Sequence, residues 1–273
     1  MRKIEIVNKD LIIGNFRASD YGLIIASFSY NEQFVDEIGM NVSTIEEFIG
    51  NNPVPTYIGQ NFTDKLHLQI TLIKNPYPFY NKLYFNEKDC RSVLRILTGI
   101  NGYQWTKLIT YELDEDLWYR ARVNNVSYKR IGGHIAGIIL DLECDSHFAW
   151  SKEYSITINA KANQHFYIYN NTDDLNNYIY PIVSIVPSYA GHITITNIND
   201  NWDTEIKNVK SNEKITVNSK CQIITSNKSH DLLLNDFNLK WFRLIPNKNE
   251  YVSNIDAKIS MIFRVPRKVG FVV

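Results

Sequence analysis

Residues 118–144 read WYRARVNNVSYKRIGGHIAGIILDLEC, and this stretch decides the fold class. Gly132-Gly133 stands between two long runs, Trp118–Ile131 and His134–Cys144. Both glycines accept a positive φ without steric penalty, so the pair suits a two-residue primed hairpin turn. The return run puts Ala136, Ile138, Leu140, Leu142 and Cys144 at alternate positions. A period of two is that of a strand with one face on a core. Upstream, Lys65–Ile73 repeats the pattern, with Leu66, Leu68, Ile70 and Leu72 alternating with Lys65, His67, Gln69 and Thr71. One helix is predicted between these strands. Asn86 caps it, Glu87 and Asp89 sit where the macrodipole favours acids, Cys90, Val93, Leu94 and Leu97 form its stripe, and Gly99 stops it. A shorter helical turn is predicted at Ser43–Ile49, opened by a Ser43/Glu46 capping box and closed by Gly50.

Beyond about residue 150 the helical periodicity fades. Short alternating runs recur at Phe166–Tyr169, His192–Thr196, Lys214–Val217, Gln222–Thr225, Asn238–Ile245 and Ile255–Val265. Their spacing predicts a β-sandwich. The pairs Asn170-Asn171, Asn176-Asn177 and Asn199-Asp200, with Asn247-Lys248-Asn249, read as turns because Asn tolerates the left-handed region and makes Asx-turns. Of Trp241-Phe242, neighbours on a strand, one faces the core. The boundary is placed near Trp150–Tyr154, giving domains 1–150 and 151–273.

The chain has 273 residues, with 29 Lys+Arg balancing 29 Asp+Glu. At ~150 residues per domain this length allows two modest domains or one large β domain. A hydrophobic fraction of 44% argues against disorder. Zero net charge argues against bulk nucleic-acid binding, which demands a basic surface. Neither a signal peptide nor a run of ~18 apolar residues is visible, so no membrane insertion is expected. Cys90, Cys144 and Cys221 lie far apart and read as free, buried thiols in a reducing compartment.

No catalytic or metal-binding motif stands out in the sequence. Cys144 and His147 have no second pair to close a zinc site and no orienting group for a nucleophile. Asp114-Glu115-Asp116 is a solvated run rather than a catalytic dyad. Asn199-Asp200-Asn201 with Asp203 lacks the glycine and glutamate of a calcium loop and reads as a solvated hairpin turn. No catalytic residue, metal or cofactor is expected.

Four segments of the N-terminal half, "FRASDYGLIIASF" (Phe16–Phe28), "CRSVLRILTGINGYQW" (Cys90–Trp105), "LWYRARVNNVSY" (Leu117–Tyr128) and "GIILDLECDSHFAWS" (Gly137–Ser151), resemble the N-terminal domain of the phage distal tail protein (Dit) family. "ITITNIND" (Ile193–Asp200), "EKITVNSKCQIITS" (Glu213–Ser226) and "DFNLKWFRLIPNKNEY" (Asp236–Tyr251) resemble that family's galectin-like C-terminal sandwich. The resemblance implies a mainly β chain: a β-sandwich or barrel-like ring domain with one α-helix, followed by a galectin-like β-sandwich. It implies a structural hub, in the compact form without arm or carbohydrate-binding insertion. Copies would form a ring, a homohexamer, joining the tail tube and tape-measure protein to the tail tip or baseplate and its receptor-binding or tail-associated proteins. DNA would pass through without being held. The protein would be made and assembled in the host cytoplasm and end in the virion.

A ring is a heterologous, closing interface, so each subunit offers two different surfaces. Second faces of strands, such as His67/Gln69/Thr71 and Ile135/Gly137/Ile139, are the expected source. Within the Trp118–Asp145 hairpin the interface candidates are Trp118, Tyr119, Arg120, Arg122, Ile135 and Ile139. The channel wall is expected to be neutral or acidic on balance. The alternative is a carbohydrate-binding adsorption module that uses sandwich aromatics on host cell-wall polysaccharide, although the set of residues that galectins use is not recognisable.

Overall fold

The structure is a computed structural model that describes residues 10–26, 42–50, 52–62, 65–76, 83–98, 104–109 and 117–268. These divide into two compact units, one running to Trp150 and taking in Lys268, the other Ser151–Arg267.

The first unit is built on an antiparallel sheet whose strand order is β2-β1-β7-β8-β9-β6-β3. Its strands are β1 (Ile12–Ile13), β2 (Phe16–Arg17), β3 (Leu23–Ile25), β6 (His67–Lys74), β7 (Thr106–Ile109), β8 (Tyr119–Ile131) and β9 (His134–Cys144), while β4 (Val42–Glu47) and β5 (Thr56–Phe62) pair separately. Gly132 and Gly133 take φ of 55° and 83°, as the turn requires. Ile138, Leu140, Leu142 and Cys144 of β9 are fully buried together with Leu68, Ile70 and Leu72 of β6. Helix α1 (Glu87–Leu97) covers this core with Cys90, Val93 and Leu97. Its capping box is reciprocal: Asn86 Oδ1 accepts from the Asp89 amide at 2.8 Å, and Asp89 Oδ2 accepts from the Asn86 amide at 3.2 Å. Helix and hairpin agree with the sequence reading; Gly99 lies outside the described residues.

Ser43–Ile49 does not form a helical turn. Residues 42–47 are strand β4, paired with β5 through Thr44↔Gln60, Ile45↔Gly59 and Glu46↔Tyr57. Val42, Thr44 and Ile45 are β-branched, and a partner strand nine residues downstream satisfies the backbone that a capping box would otherwise serve. Gly50, with φ of 64°, belongs to the connection between the strands.

The second unit is a sandwich of two antiparallel sheets. One has the order β11-β19-β13-β16-β17 and the other β12-β18-β14-β15. They are formed by β11 (Tyr154–Ala160), β12 (His165–Asn170), β13 (Ile182–Pro187), β14 (Gly191–Asn197), β15 (Trp202–Val209), β16 (Ile215–Asn218), β17 (Ile223–Ser226), β18 (Asn247–Ser253) and β19 (Ala257–Phe263), the numbering leaving β10 for the short Ala149–Trp150 strand. Inward residues alternate along nearly every strand, for example Ile193 and Ile195 on β14 and Ile259, Met261 and Phe263 on β19.

Two readings of this unit are corrected. Asn238–Ile245 is irregular rather than a strand. Leu239 takes a left-handed φ of 61°, and Trp202 Nε1, Thr204 Oγ1 and Asn238 Nδ2 tie the segment to β15 through side-chain hydrogen bonds. Asn247-Lys248-Asn249 opens strand β18 rather than forming a turn, although Asn247 itself has φ of 68°. Phe242 is the buried member of Trp241-Phe242. Cys221 is exposed, whereas Cys90 and Cys144 are buried.

Candidate functional site

The sheet of the first unit has a second, polar face, and its organisation follows from strand parity. Tyr119, Ala121 and Val123 of β8 turn into the core, so Arg120 and Arg122 project from the other side. A bulge then intervenes: Val123 faces Leu142 and Asn125 faces Asp141, which leaves Asn124 as the extra residue. Two consecutive asparagines thereby reach acids of the same face. Asn124 Nδ2 lies 3.2 Å from Glu143 Oε2 and Asn125 Nδ2 lies 3.3 Å from Asp141 Oδ2.

Glu143 is the centre of the face. Lys65 Nζ approaches its Oε1 at 2.6 Å, and Arg122 donates to its Oε2 from Nη2 at 2.6 Å and Nε at 3.0 Å. The Trp105 ring caps these cations, with the Arg122 guanidinium 5.0 Å, Lys65 Nζ 5.5 Å and the Arg120 guanidinium 5.9 Å from its centroid. Gln69 Nε2 donates to Asp141 at 2.8 Å and Arg120 meets Asp145 at 3.5 Å. The hydrogen bond from Lys65, then that from Arg122, hold the Glu143 carboxyl down at about 2 against the opposing effect of burial. Its folded value lies below its unfolded one, so its contribution to stability is present above about 4.5 and is lost as pH falls toward about 2. A carboxyl-detected NMR titration should therefore find Glu143 ionised at pH 3. In Lys65→Met its midpoint should move upward, and an unmoved midpoint would contradict this account.

The predicted interface residues separate here. Arg120 and Arg122 share the polar face around Trp105. Ile139 is half-buried on the same sheet between Thr71 and Ser127. Trp118 is half-buried, paired through its backbone to Trp150, with Lys107 Nζ 5.6 Å from its ring. Ile135 packs its half-buried side chain against the core, because Phe85 bridges to it at the sheet end. Tyr119 cannot serve as surface: it is 1% exposed, held inward by the same parity that turns Arg120 out. Gly137 is likewise buried. The sequence reading did not find Trp105, Asn124 or Glu143 as partners of the arginines. Only the bulge and the β9 register bring them together.

Nothing on this face is arranged for catalysis. Burial, reinforced by Asp145 and Glu143, pushes the Cys144 thiol up to about 12. No metal-holding cluster of His, Cys, Asp or Glu occurs among the described residues. Asp114-Glu115-Asp116 lies outside them. No helix among them is long and apolar enough to cross a membrane.

The second unit carries two further surface features. Arg243 is clamped between Trp202 and Tyr178, 3.7 and 4.3 Å from their centroids, and it holds Asp200 through Nε at 2.5 Å and Nη2 at 3.1 Å. The β14–β15 turn is therefore not solvated at Asp200, whose side chain is 10% exposed. On the outward face of β12, Tyr167 and Tyr169 are exposed beside His165, Lys248 and Glu250, with Lys248 Nζ 4.1 Å from the Tyr167 ring.

Comparison with known proteins gives the following. The family profile described as "Phage tail protein N-terminal domain" matches residues 6–146, and "Phage tail C-terminal domain" matches residues 148–263. The crystal structure of the SPP1 Dit (gp 19.1) protein, called a paradigm of the hub adsorption apparatus in phages infecting Gram-positive bacteria, is similar at a TM-score of 0.66 and 12% identity. That similarity covers 94% of this chain and 98% of that one. The phage P2 baseplate in its activated conformation with Ca is similar at a TM-score of 0.46 and 10% identity, over 97% of this chain and 99% of that chain. No curated protein matches.

Proposed function

The chain belongs to the phage tail protein family whose N- and C-terminal domains it carries in order, and on that premise we propose that it is the distal tail hub, a closed ring at the end of the tail tube. It is a structural component of the virion with a mainly β fold of the Dit type. The observation that carries the reading is coverage: both β units together match a hub protein over nearly the whole of each chain. Little of the chain falls outside that match, which supports the compact form without an inserted arm. The ring is a homohexamer built from domain 1–150, with domain 151–273, galectin-like in this reading, projecting outward. It joins the tail tube and tape-measure protein to the tail tip and its receptor-binding or tail-associated proteins. Synthesis and assembly take place in the host cytoplasm.

Mechanically, such a ring needs rigid subunits, two unlike contact surfaces and a wall that lets DNA slide. The long β8–β9 hairpin supplies stiffness, and the ion-paired face around Glu143 offers a surface whose charges are already matched. A wall that is neutral or acidic on balance would not retain phosphates. Light scattering of the full chain, followed by negative-stain imaging, should show a six-fold ring with a central hole. A strict monomer at high concentration, together with antibody labelling of virions away from the tail tip, would overturn the reading.

One observation favours a second role for the outer unit. Tyr167 and Tyr169 present exposed rings next to hydrogen-bonding groups on the outward face of β12, the combination a saccharide stacks on. Saturable calorimetric binding of host cell-wall polysaccharide, abolished in Tyr167→Ala/Tyr169→Ala, would establish it; no heat of binding would dismiss it.

A further inference from the structure

The β4–β5 hairpin is an unusual object for a folded subunit. It forms a two-stranded sheet joined to no other sheet among the described residues. Two strands alone are marginal in water, because they have no apolar face to bury. Yet Phe48, Ile49, Val54, Tyr57 and Ile58 are each more than half exposed. The bulge that leaves Ile58 as the extra residue between the Ile45↔Gly59 and Glu46↔Tyr57 pairs adds to the apolar load. A contiguous apolar element of this kind marks a protein interaction site. Its charge is one-sided as well: residues 42–62 contain Glu46 and Glu47 and no Lys or Arg.

The turn end of the β8–β9 hairpin has the opposite character. Leu83, Tyr84, Tyr128 and Ile131 are exposed there, with Tyr84 against the His134 ring at 5.0 Å. The Phe85 amide donates to the Ile135 carbonyl at 2.8 Å, which fixes the 83–85 segment beside the strand end. Residues 126–140 contain Lys129 and Arg130 and no Asp or Glu. Both surfaces belong to the same unit, expose apolar side chains, and carry opposite charge. That is the requirement for a heterologous contact between identical chains, in which one patch of each copy meets a different patch of the next.

We infer that the β4–β5 hairpin of one copy docks on the turn end of the β8–β9 hairpin of the next copy, bringing the acidic Glu46-Glu47 segment to the basic Lys129-Arg130 segment. The inference rests on the ring reading above and names the surfaces that close the ring. Burial of Phe48, Tyr57 and Ile58 holds the contact, and the charges set its register and suppress hairpin-on-hairpin pairing between like acids.

Charge reversal with rescue tests it on the full chain. Glu46→Lys/Glu47→Lys should weaken self-association at least tenfold in sedimentation velocity, as should Lys129→Glu/Arg130→Glu. The four changes together should restore it. Independently, a photo-crosslinking residue at Ile58 in a mixture of isotopically heavy and light protein should give heavy–light products mapping to residues 128–135. Rings that form unaltered in both reversal variants overturn the inference while leaving the ring reading intact. Crosslinks confined to single chains also overturn it, since the hairpin would then fold back on its own copy. A wild-type chain that never self-associates, together with antibody labelling of virions away from the tail tip, overturns the inference and the ring reading together.

Discussion

Replacing Glu213 with Ala should destabilise the second unit by about 3 kcal/mol, because it breaks the enclosed Glu213–His230–Asp236 triad. Glu213 is fully buried. Its Oε1 accepts from Ser226 Oγ at 2.6 Å and stands 2.8 Å from His230 Nδ1, while Oε2 accepts from the Lys210 amide at 2.7 Å. The other ring nitrogen, His230 Nε2, stands 2.9 Å from Asp236 Oδ2, while Asp236 Oδ1 accepts from Asn208 Nδ2 at 2.9 Å. A carboxylate on each side favours the protonated ring, in which both nitrogens donate, in line with the upward shift of the His230 pKa. The histidine thus clips the short helix α2 (Leu233–Asp236) and the segment before it against β15–β17. Removing Glu213 leaves the Lys210 amide, the Ser226 hydroxyl and one imidazolium N–H without an acceptor.

The same triad fixes a pH dependence. Burial pulls the His230 pKa down, but Asp236 and Glu213 outweigh it and the net shift is upward from 6.5. A raised folded-state pKa means stability that is complete below about 6.5 and is lost as pH rises through the folded value. Burial pushes Glu213 up, but Ser226, the Lys210 amide and His230 outweigh it, so its pKa is lowered and its contribution fades as pH falls below 4.5. Urea unfolding of the full chain, followed by hydrogen exchange in peptides from 210–236, should show the alkaline loss in the wild type. The loss should be absent in His230→Gln, and if it persists there, the triad is not its source.

How far the sequence could be read depended on the range of the interaction involved. The Gly132-Gly133 turn, the Asn86/Asp89 cap and the strand periodicities of β6 and β9 are local, and each was legible because the deciding residues are neighbours. The Ser43/Glu46 capping signal was equally local and misled, because pairing with Thr56–Phe62 outvoted it. The polar face was half legible. Alternation along β8 sets Arg120 and Arg122 on one face and Tyr119 on the other, so the three could not share a surface. The acid that Arg122 holds, Glu143, lies opposite it on β9, a pairing set by strand register that no local spacing rule announces. Asn-rich stretches were the hardest, since Asn serves a turn or a buried hydrogen-bond network with the same two groups.

Asn249 shows what that ambiguity conceals, and Asn249→Ala should cost about 3 kcal/mol. The residue is fully buried on β18. Its Oδ1 accepts from the Ile245 amide and from Asn197 Nδ2, both at 2.9 Å, and its Nδ2 donates to the carbonyls of Ile245 at 2.9 Å and Asn247 at 3.3 Å. All four bonding positions of the side chain are thus engaged. Truncation removes every one of these bonds and opens a cavity too small and too enclosed for a ready substitute. At about 1–3 kcal/mol for each buried group left unsatisfied, two orphans suffice for the expected loss. The damage should also spread in a defined direction. Asn249 anchors Ile245, and the irregular segment before it carries Trp241, Phe242 and Arg243, whose guanidinium stacks between Trp202 and Tyr178. Hydrogen exchange in the full-length variant should therefore accelerate across residues 238–253 while residues 119–144, in the other unit, keep their protection. Asn249→Asp, which sets a buried carboxylate oxygen against the carbonyls of Ile245 and Asn247, should cost at least as much. Uniform acceleration across both units, or none at 238–246, would mean that the segment is held by its apolar contacts and not by this asparagine.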